Sequence, residues 1–221
     1  MTTHDIARAE RVEMYLKAVY TIAQMAPPVT VSKVAEAVGV AAPSASEMLR
    51  RLEQQGYVAS AADEGLQLTP SGLARATQVV RRLRLAERLL ADVLKLDLSK
   101  VYDEACKMEH VISDEVEARL ADVLGHPRVC PHGLPIPGEA EDVISSASLQ
   151  QLGPGQTARV AVVPEEDAEL LVYLTRLGLV PAADVTIEDV APFDGPITMV
   201  VDGTRRSISR EIAARIHVVP V

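Results

Sequence analysis

The sequence predicts a mainly α chain with small β parts: an N-terminal winged helix-turn-helix, a helical middle and a small β-rich barrel at the end. Two short helix patterns joined by a tight turn are followed at once by a hairpin pattern. The middle carries long apolar runs at helical spacing. The last part alternates short strand patterns with turn signals, including the pair Asp202-Gly203. The boundaries read from these patterns are 1–73, 74–140, a linker at 141–154, and 155–221.

In the first part, Met14, Tyr15, Ala18, Val19 and Ile22 mark a helix from Glu10 to Met25, which Pro27-Pro28 ends. A short helix follows over Lys33–Val38, with Ser32 as cap and Gly39 as stop. A second runs from Ser44 to Gln55 and stops at Gly56. Tyr57-Val58-Ala59 and Leu66-Gln67-Leu68 read as the strands of a wing, turning at Asp63-Glu64-Gly65. In the middle, one helix is predicted over Leu73–Leu94 and another from about Ser99 to Leu124. Their apolar faces suit a dimer interface. In the last part, strands are expected at Arg159–Val163, Val185–Ile187, Ile197–Val201, Ser207–Ser209 and His217–Val221. Helices are expected at Glu165–Leu177 and Glu211–Ile216.

The 221 residues carry a formal charge of −9, which argues against a nonspecific nucleic-acid coat protein but leaves a local DNA reader open. Between 75 and 88 the charge reverses: Arg75, Arg81, Arg82, Arg84 and Arg88 face only Glu87. No apolar run is long enough to span a membrane, and the charged N-terminus does not read as a signal peptide. A cytoplasmic, reduced setting is expected for Cys106 and Cys130, which stand in unrelated contexts.

A recognition helix offers its first turns to base edges. Here that places Pro43, Ser44, Ser46, Glu47 and Arg50 at double-stranded DNA, with Arg50, Arg51 and Lys33 suited to phosphates. The bland reading is a winged helix used for protein contact. Cys106, Glu109 and His110 fall at i, i+3 and i+4, one face of the predicted helix. A thiolate, a carboxylate and an imidazole suit Fe(II), Mn(II), Co(II), Ni(II) or Zn(II) better than Ca(II) or Mg(II). Met14 could add a thioether. The plain alternative makes Cys106 and Met14 core residues, Glu109 solvated and His110 a packed histidine.

Several segments resemble the diphtheria toxin repressor family of iron- and manganese-dependent repressors. They include Val12-Glu13-Met14-Tyr15-Leu16, Arg84-Leu85-Ala86-Glu87-Arg88-Leu89-Leu90, Lys100 to Cys106, Glu109 to Glu117, and Cys130-Pro131-His132-Gly133-Leu134-Pro135-Ile136-Pro137-Gly138. The resemblance runs through almost the whole chain in the expected order. It implies a homodimeric, metal-dependent repressor of metal-homeostasis genes that binds a palindromic operator, and a C-terminal SH3-like (FeoA-like) barrel. It implies a primary metal site at Met14, Cys106, Glu109 and His110, with Fe(II) or Mn(II) as effector and Co, Ni, Zn or Cd as surrogates. The implied metal bridges the DNA-binding and dimerisation domains.

The family's ancillary site departs from its pattern here. Leu83 and Tyr102 stand where two-site members carry histidines, while Glu87 is retained as a candidate ligand. Glu166, Asp167 and Glu169 lie where the third domain donates a carboxylate. The ancillary site is therefore expected to be absent or rebuilt from other residues. Cys130-x-His132 can be read as a separate metal clip, against which the family pattern carries this turn without metal. Competing readings are a winged-helix regulator answering to an organic ligand or to redox, a metallohydrolase, and a scaffold for proline-rich peptides. The chain lacks a His-Glu-x-x-His helix, a nucleophile elbow or a phosphate loop, so no enzyme is expected.

Overall fold

The computed structural model describes residues 3–61, 65–140 and 146–221. Asp63 and Glu64 of the expected wing turn, and 141–145 of the expected linker, lie outside the described residues. The chain divides into two compact units, Met1–Leu83 with Glu109–Ile112, and Arg84–Met108 with Ser113–Val221.

The first unit holds α1 (Thr3–Met25), α2 (Val31–Val38), α3 (Ala42–Gln54), and the hairpin β1 (Val58–Ala61) and β2 (Gly65–Leu68). Thr30, not Ser32, caps α2: its hydroxyl accepts from Lys33 N, and Gly39 closes the helix in the left-handed region at φ 71°. One residue decides this, because only the residue with extended backbone can turn its oxygen back onto the first turn. Pro43 opens α3, where a missing N–H costs nothing. The wing pairs Val58 with Leu68 and Ala61 with Gly65. Gly65 has φ +76°, and a Cβ there would strike the Val29 carbonyl. Leu16, Val19, Val34, Ala45, Leu49 and Leu52 form the aliphatic core beneath α3.

α4 (Pro70–Arg88) starts in the first unit and ends in the second, where a π-helical turn, Leu89–Val93, continues it. The single helix expected over Ser99–Leu124 is two: α5 (Leu98–Met108) and α6 (Asp114–Leu124). Ser113 makes the break. Its side chain accepts from Val116 N, and three acids fill the first turn of α6, where the helix dipole favours them. Glu109 and His110 therefore sit in the turn between helices, not on a helical face shared with Cys106.

The rest of the second unit is a six-stranded antiparallel sheet in the order β3-β8-β4-β5-β6-β7. Its strands are β3 (Ala147–Ser148), β4 (Thr157–Val162), β5 (Asp184–Val190), β6 (Ile197–Val201), β7 (Thr204–Ile208) and β8 (His217–Pro220). β3 falls inside the expected linker; two residues are too few to show a period. α7 (Ala168–Leu177), capped by Asp167, and α8 (Arg210–Ala214), capped by Ser209, accompany the sheet. Leu171, Leu174, Ile187, Ile197 and Met199 fill its core. Asp202 and Gly203 turn β6 into β7 with φ of 48° and 73°. Among the described residues, no helix is long and apolar enough to cross a membrane.

Candidate metal centres and nucleic-acid interface

In the first unit, α1 presents Glu13 and Lys17 one turn apart on one face. Lys17 Nζ donates to Glu109 Oε1 at 2.6 Å, and only 1% of the Glu109 side chain is exposed. His110 Nε2 lies 3.3 Å from the same oxygen. His110 Nδ1 is 2.8 Å from Glu13 Oε2, and Glu13 Oε1 accepts from Arg75 at 3.1 Å. Glu109 Oε2 is buried and has no hydrogen-bond partner. Burial pushes the Glu109 carboxyl above its ordinary range, against the pull of Lys17. Burial also works to raise Glu13, but His110 and Arg75 outweigh it and hold Glu13 low.

Met14, next along α1, is 37% exposed and lines a groove of about 380 Å³ with Ser44, Glu47 and Arg51 of α3. Cys106 is a half-buried thiol on α5, in the second unit. The structure thus brings Glu109 and His110 together, and Lys17 and Glu13 of α1 bond to them. Sequence reasoning had singled out Met14 alone from that turn; the spacing of Glu13 and Lys17 was the available signal.

The second unit contains a tighter cluster. Glu87, Cys130, His132 and Glu165 are all buried, and each offers one donor atom within 4.8 Å of the others. Glu87 comes from the last turn of α4. Cys130 and His132 come from a turned loop in which Cys130 N bonds Leu134 O at 2.8 Å and Gly133 N bonds Cys130 O at 2.9 Å. Gly133, at φ +95°, lets this loop lie on β4, since a Cβ there would collide with the Ala161 carbonyl. Val163 N then donates to His132 O at 3.0 Å. Glu165 lies between β4 and α7. Its neighbours Glu166 and Asp167, the carboxylates expected from sequence, instead pair with Arg215 at 3.1 and 2.8 Å.

The cluster fits a divalent transition metal. Both Glu87 oxygens, Glu165 Oε2 and His132 Nδ1 are buried without a sound hydrogen bond, although His132 Nδ1 and Glu87 Oε1 are 3.1 Å apart. Groups so placed are costly unless something else binds them. His132 Nε2 is 3.3 Å from the Leu98 carbonyl, and donating there leaves Nδ1 as the lone-pair nitrogen. Burial, then the Glu87 charge, pushes Glu165 up to about 8. The same causes push the Cys130 thiol well up. Burial disfavours the His132 imidazolium, but Glu87 and Glu165 outweigh it and raise the group. One thiolate, one imidazole and two carboxylates make a mixed set suited to Fe(II), Mn(II), Co(II) or Zn(II). Leu83, an apolar side chain with no ligand atom, is packed at 1% exposure.

On α3, Pro43, Ser44, Ser46, Glu47, Arg50 and Arg51 are all exposed, while Ala45, Met48, Leu49 and Leu52 are buried. The face expected to meet DNA is thus open to solvent. Lys33 is committed elsewhere: its ammonium donates to the Ala26 and Pro28 carbonyls at 2.5 and 3.0 Å and ties α2 to the end of α1.

Three family models match successive parts of the chain. Residues 9–66 match the iron dependent repressor N-terminal DNA binding domain, 69–138 the iron dependent repressor metal binding and dimerisation domain, and 147–220 the FeoA domain. The chain is 36% identical over 205 residues to the iron-dependent repressor IdeR of Mycobacterium tuberculosis, covering 86% of this chain and 88% of that protein. It is 46% identical over 126 residues to the diphtheria toxin repressor of Corynebacterium diphtheriae, a match spanning 57% of this chain and 56% of that one. A solved manganese-dependent transcriptional repressor in complex with manganese superposes with a TM-score of 0.88 at 32% identity, over 95% of this chain and all of that one.

Proposed function

Because the chain belongs to the diphtheria toxin repressor family, we propose that it is a transcriptional repressor of metal-homeostasis genes that binds its operator when loaded with Fe(II) or Mn(II). The observation that carries this reading is the placement of residues 109–112. They are grouped with the winged helix and not with the helices that flank them in sequence. Glu109 and His110 meet α1 through Lys17 and Glu13, so a ligand held there acts on the DNA-binding unit directly.

The family resemblance assigns Met14, Cys106, Glu109 and His110 as primary ligands, and Glu87, Cys130, His132 and Glu165 form the second set of candidate ligands. A metal bound there would supply positive charge for the carboxylate, imidazole and sulfur groups that these residues offer. Glu109 offers its unpartnered Oε2 and His110 its Nε2, and both lie beside α1. Fixing α1 fixes α3, because Leu16 and Val19 share one core with Leu49 and Leu52. Ser44, Ser46 and Glu47 then reach base edges. Arg50 and Arg51 reach phosphates, Pro43 packs at the groove wall, and Lys33 supports the α2 entry. The working form is a cytoplasmic homodimer joined through residues 74–140. Its two recognition helices match the half-sites of a palindromic operator. Metal acts by favouring the arrangement with the matching spacing. The chain acts by binding and not by catalysis.

The test titrates the metal-free protein with Mn(II) and, anaerobically, with Fe(II), reading the shift of its own upstream DNA. A Glu109→Ala/His110→Ala variant runs beside it. Metal-dependent shifting that the variant loses is expected. Equal binding with and without metal would sink the reading and point to an organic-ligand or redox regulator.

A further inference from the structure

We propose that Glu13 is the positioning residue of the first centre: it holds the His110 ring so that Nε2 is presented to the metal, and Arg75, seated on Tyr57, holds Glu13. The inference rests on the reading of Glu109 and His110 as ligands.

Both Glu13 oxygens are committed. Oε2 is 2.8 Å from His110 Nδ1, and Oε1 accepts from Arg75 Nη2 at 3.1 Å. A carboxylate held at both oxygens cannot rotate away, so it acts on the ring as a fixed acceptor. In the neutral ring a proton at Nδ1 is the one Glu13 accepts, and that tautomer leaves Nε2, 3.3 Å from Glu109 Oε1, as the nitrogen offered to a cation. The negative charge behind the ring also makes Nε2 a stronger donor to a cation.

Arg75 is fixed in turn. Its Nη1 lies 3.4 Å from the Tyr57 hydroxyl, and its guanidinium carbon stands 5.7 Å from the centre of the Tyr57 ring. Tyr57 marks the junction of α3 and the wing: its N–H donates to Leu52 O at 2.9 Å, and its carbonyl accepts from Thr69 N at 3.0 Å. One polar chain therefore runs from a metal ligand to the end of the recognition helix.

The experiment uses the full chain carrying His132→Gln and Glu165→Gln, so that one class of site is read. Mn(II) binding is followed by the electron paramagnetic signal of free Mn(II), and thermal melting of the metal-free protein is recorded for every variant. Glu13→Gln, which keeps an acceptor oxygen but no charge, is expected to weaken Mn(II) about 10-fold, and Glu13→Ala about 100-fold. Arg75→Met falls between parent and Glu13→Ala. Metal-free melting of Glu13→Gln falls, because the ionised carboxylate pairs with Arg75 and His110, but by less than the Mn(II) affinity loss corresponds to. Parent-like Mn(II) affinity in both Glu13 variants overturns the proposal. So does an affinity loss matched by an equal loss of metal-free stability, which marks a merely structural contact. A Glu109→Gln/His110→Gln control is expected to lose Mn(II). If it binds like the parent, the ligand assignment itself fails and takes the inference with it.

Discussion

The first centre meets its buried carboxylate with an ammonium: Lys17 sits 2.6 Å from Glu109, and one Glu109 oxygen is left over. The second gathers two carboxylates and a thiol around one imidazole, all buried. Two arginines lie beside it: Arg84, 1% exposed, gives its Nη1 to the Pro135 carbonyl, and Arg88 donates to the Val129 and Cys130 carbonyls. The first site is therefore a charge pair already close to balance without metal. The second sets two buried carboxylates together, and burial with the Glu87 charge raises Glu165 to about 8, so near neutral pH a proton sits there unless a cation replaces it. Metal loading should accordingly change stability most at the second centre, and it should change the DNA-binding unit through the first.

The largest effect expected is at the second centre. Cys130→Ala/His132→Ala should remove its metal, weakening Mn(II) by on the order of 100-fold or more in titration. A remaining second class of tight sites would break the comparison. The pH dependence sharpens it. Glu165 is raised from 4.5 to about 8, so its contribution to metal-free stability is full below about 4.5 and is lost as pH rises through about 8. Metal takes the proton's place, so its stabilising effect should grow across the same window. Melting curves with and without Mn(II) should therefore diverge with rising pH, and parallel curves would contradict the assignment.

Lys17→Met tests the first centre by making it resemble the second. Breaking a buried pair from one side costs about 3 kcal/mol, so metal-free melting should drop, and added Mn(II) should restore more stability than it gives the parent. An unchanged metal-free melting point would mean that the ammonium is not balancing Glu109. The smallest effect expected is from Ser113→Ala, which removes the α6 cap for about 1 kcal/mol. It should shift melting slightly and leave Mn(II) affinity at the second centre intact, a contrast that loss of binding there would spoil.

Local chemistry made much of the molecule legible from sequence. Gly39 closes α2 because only glycine takes φ 71° freely, Pro43 opens α3, and Asp202-Gly203 turns the last hairpin. The residues of the first turns of α3, read as those that meet DNA, are exposed. The break between α5 and α6 was also written locally, in Ser113 and the acids after it, but the continuous apolar spacing from Val101 to Leu120 concealed it.

The centres themselves were a tertiary decision. Glu13 and His110 are 97 residues apart in the chain yet 2.8 Å apart in space. Glu87 and Glu165 are brought onto one pair of loop residues by Gly133, whose missing Cβ allows the loop onto β4. No period or spacing encodes such meetings, because they depend on which surfaces pack together. The sequence alone determined the element types, the exposed face of the recognition helix and the pool of metal-binding side chains. The tertiary structure decided which of those side chains share a dry pocket, because burial makes unpaired charge costly and so gives acids, a thiol and an imidazole scattered along the chain a common use for a proton or a cation.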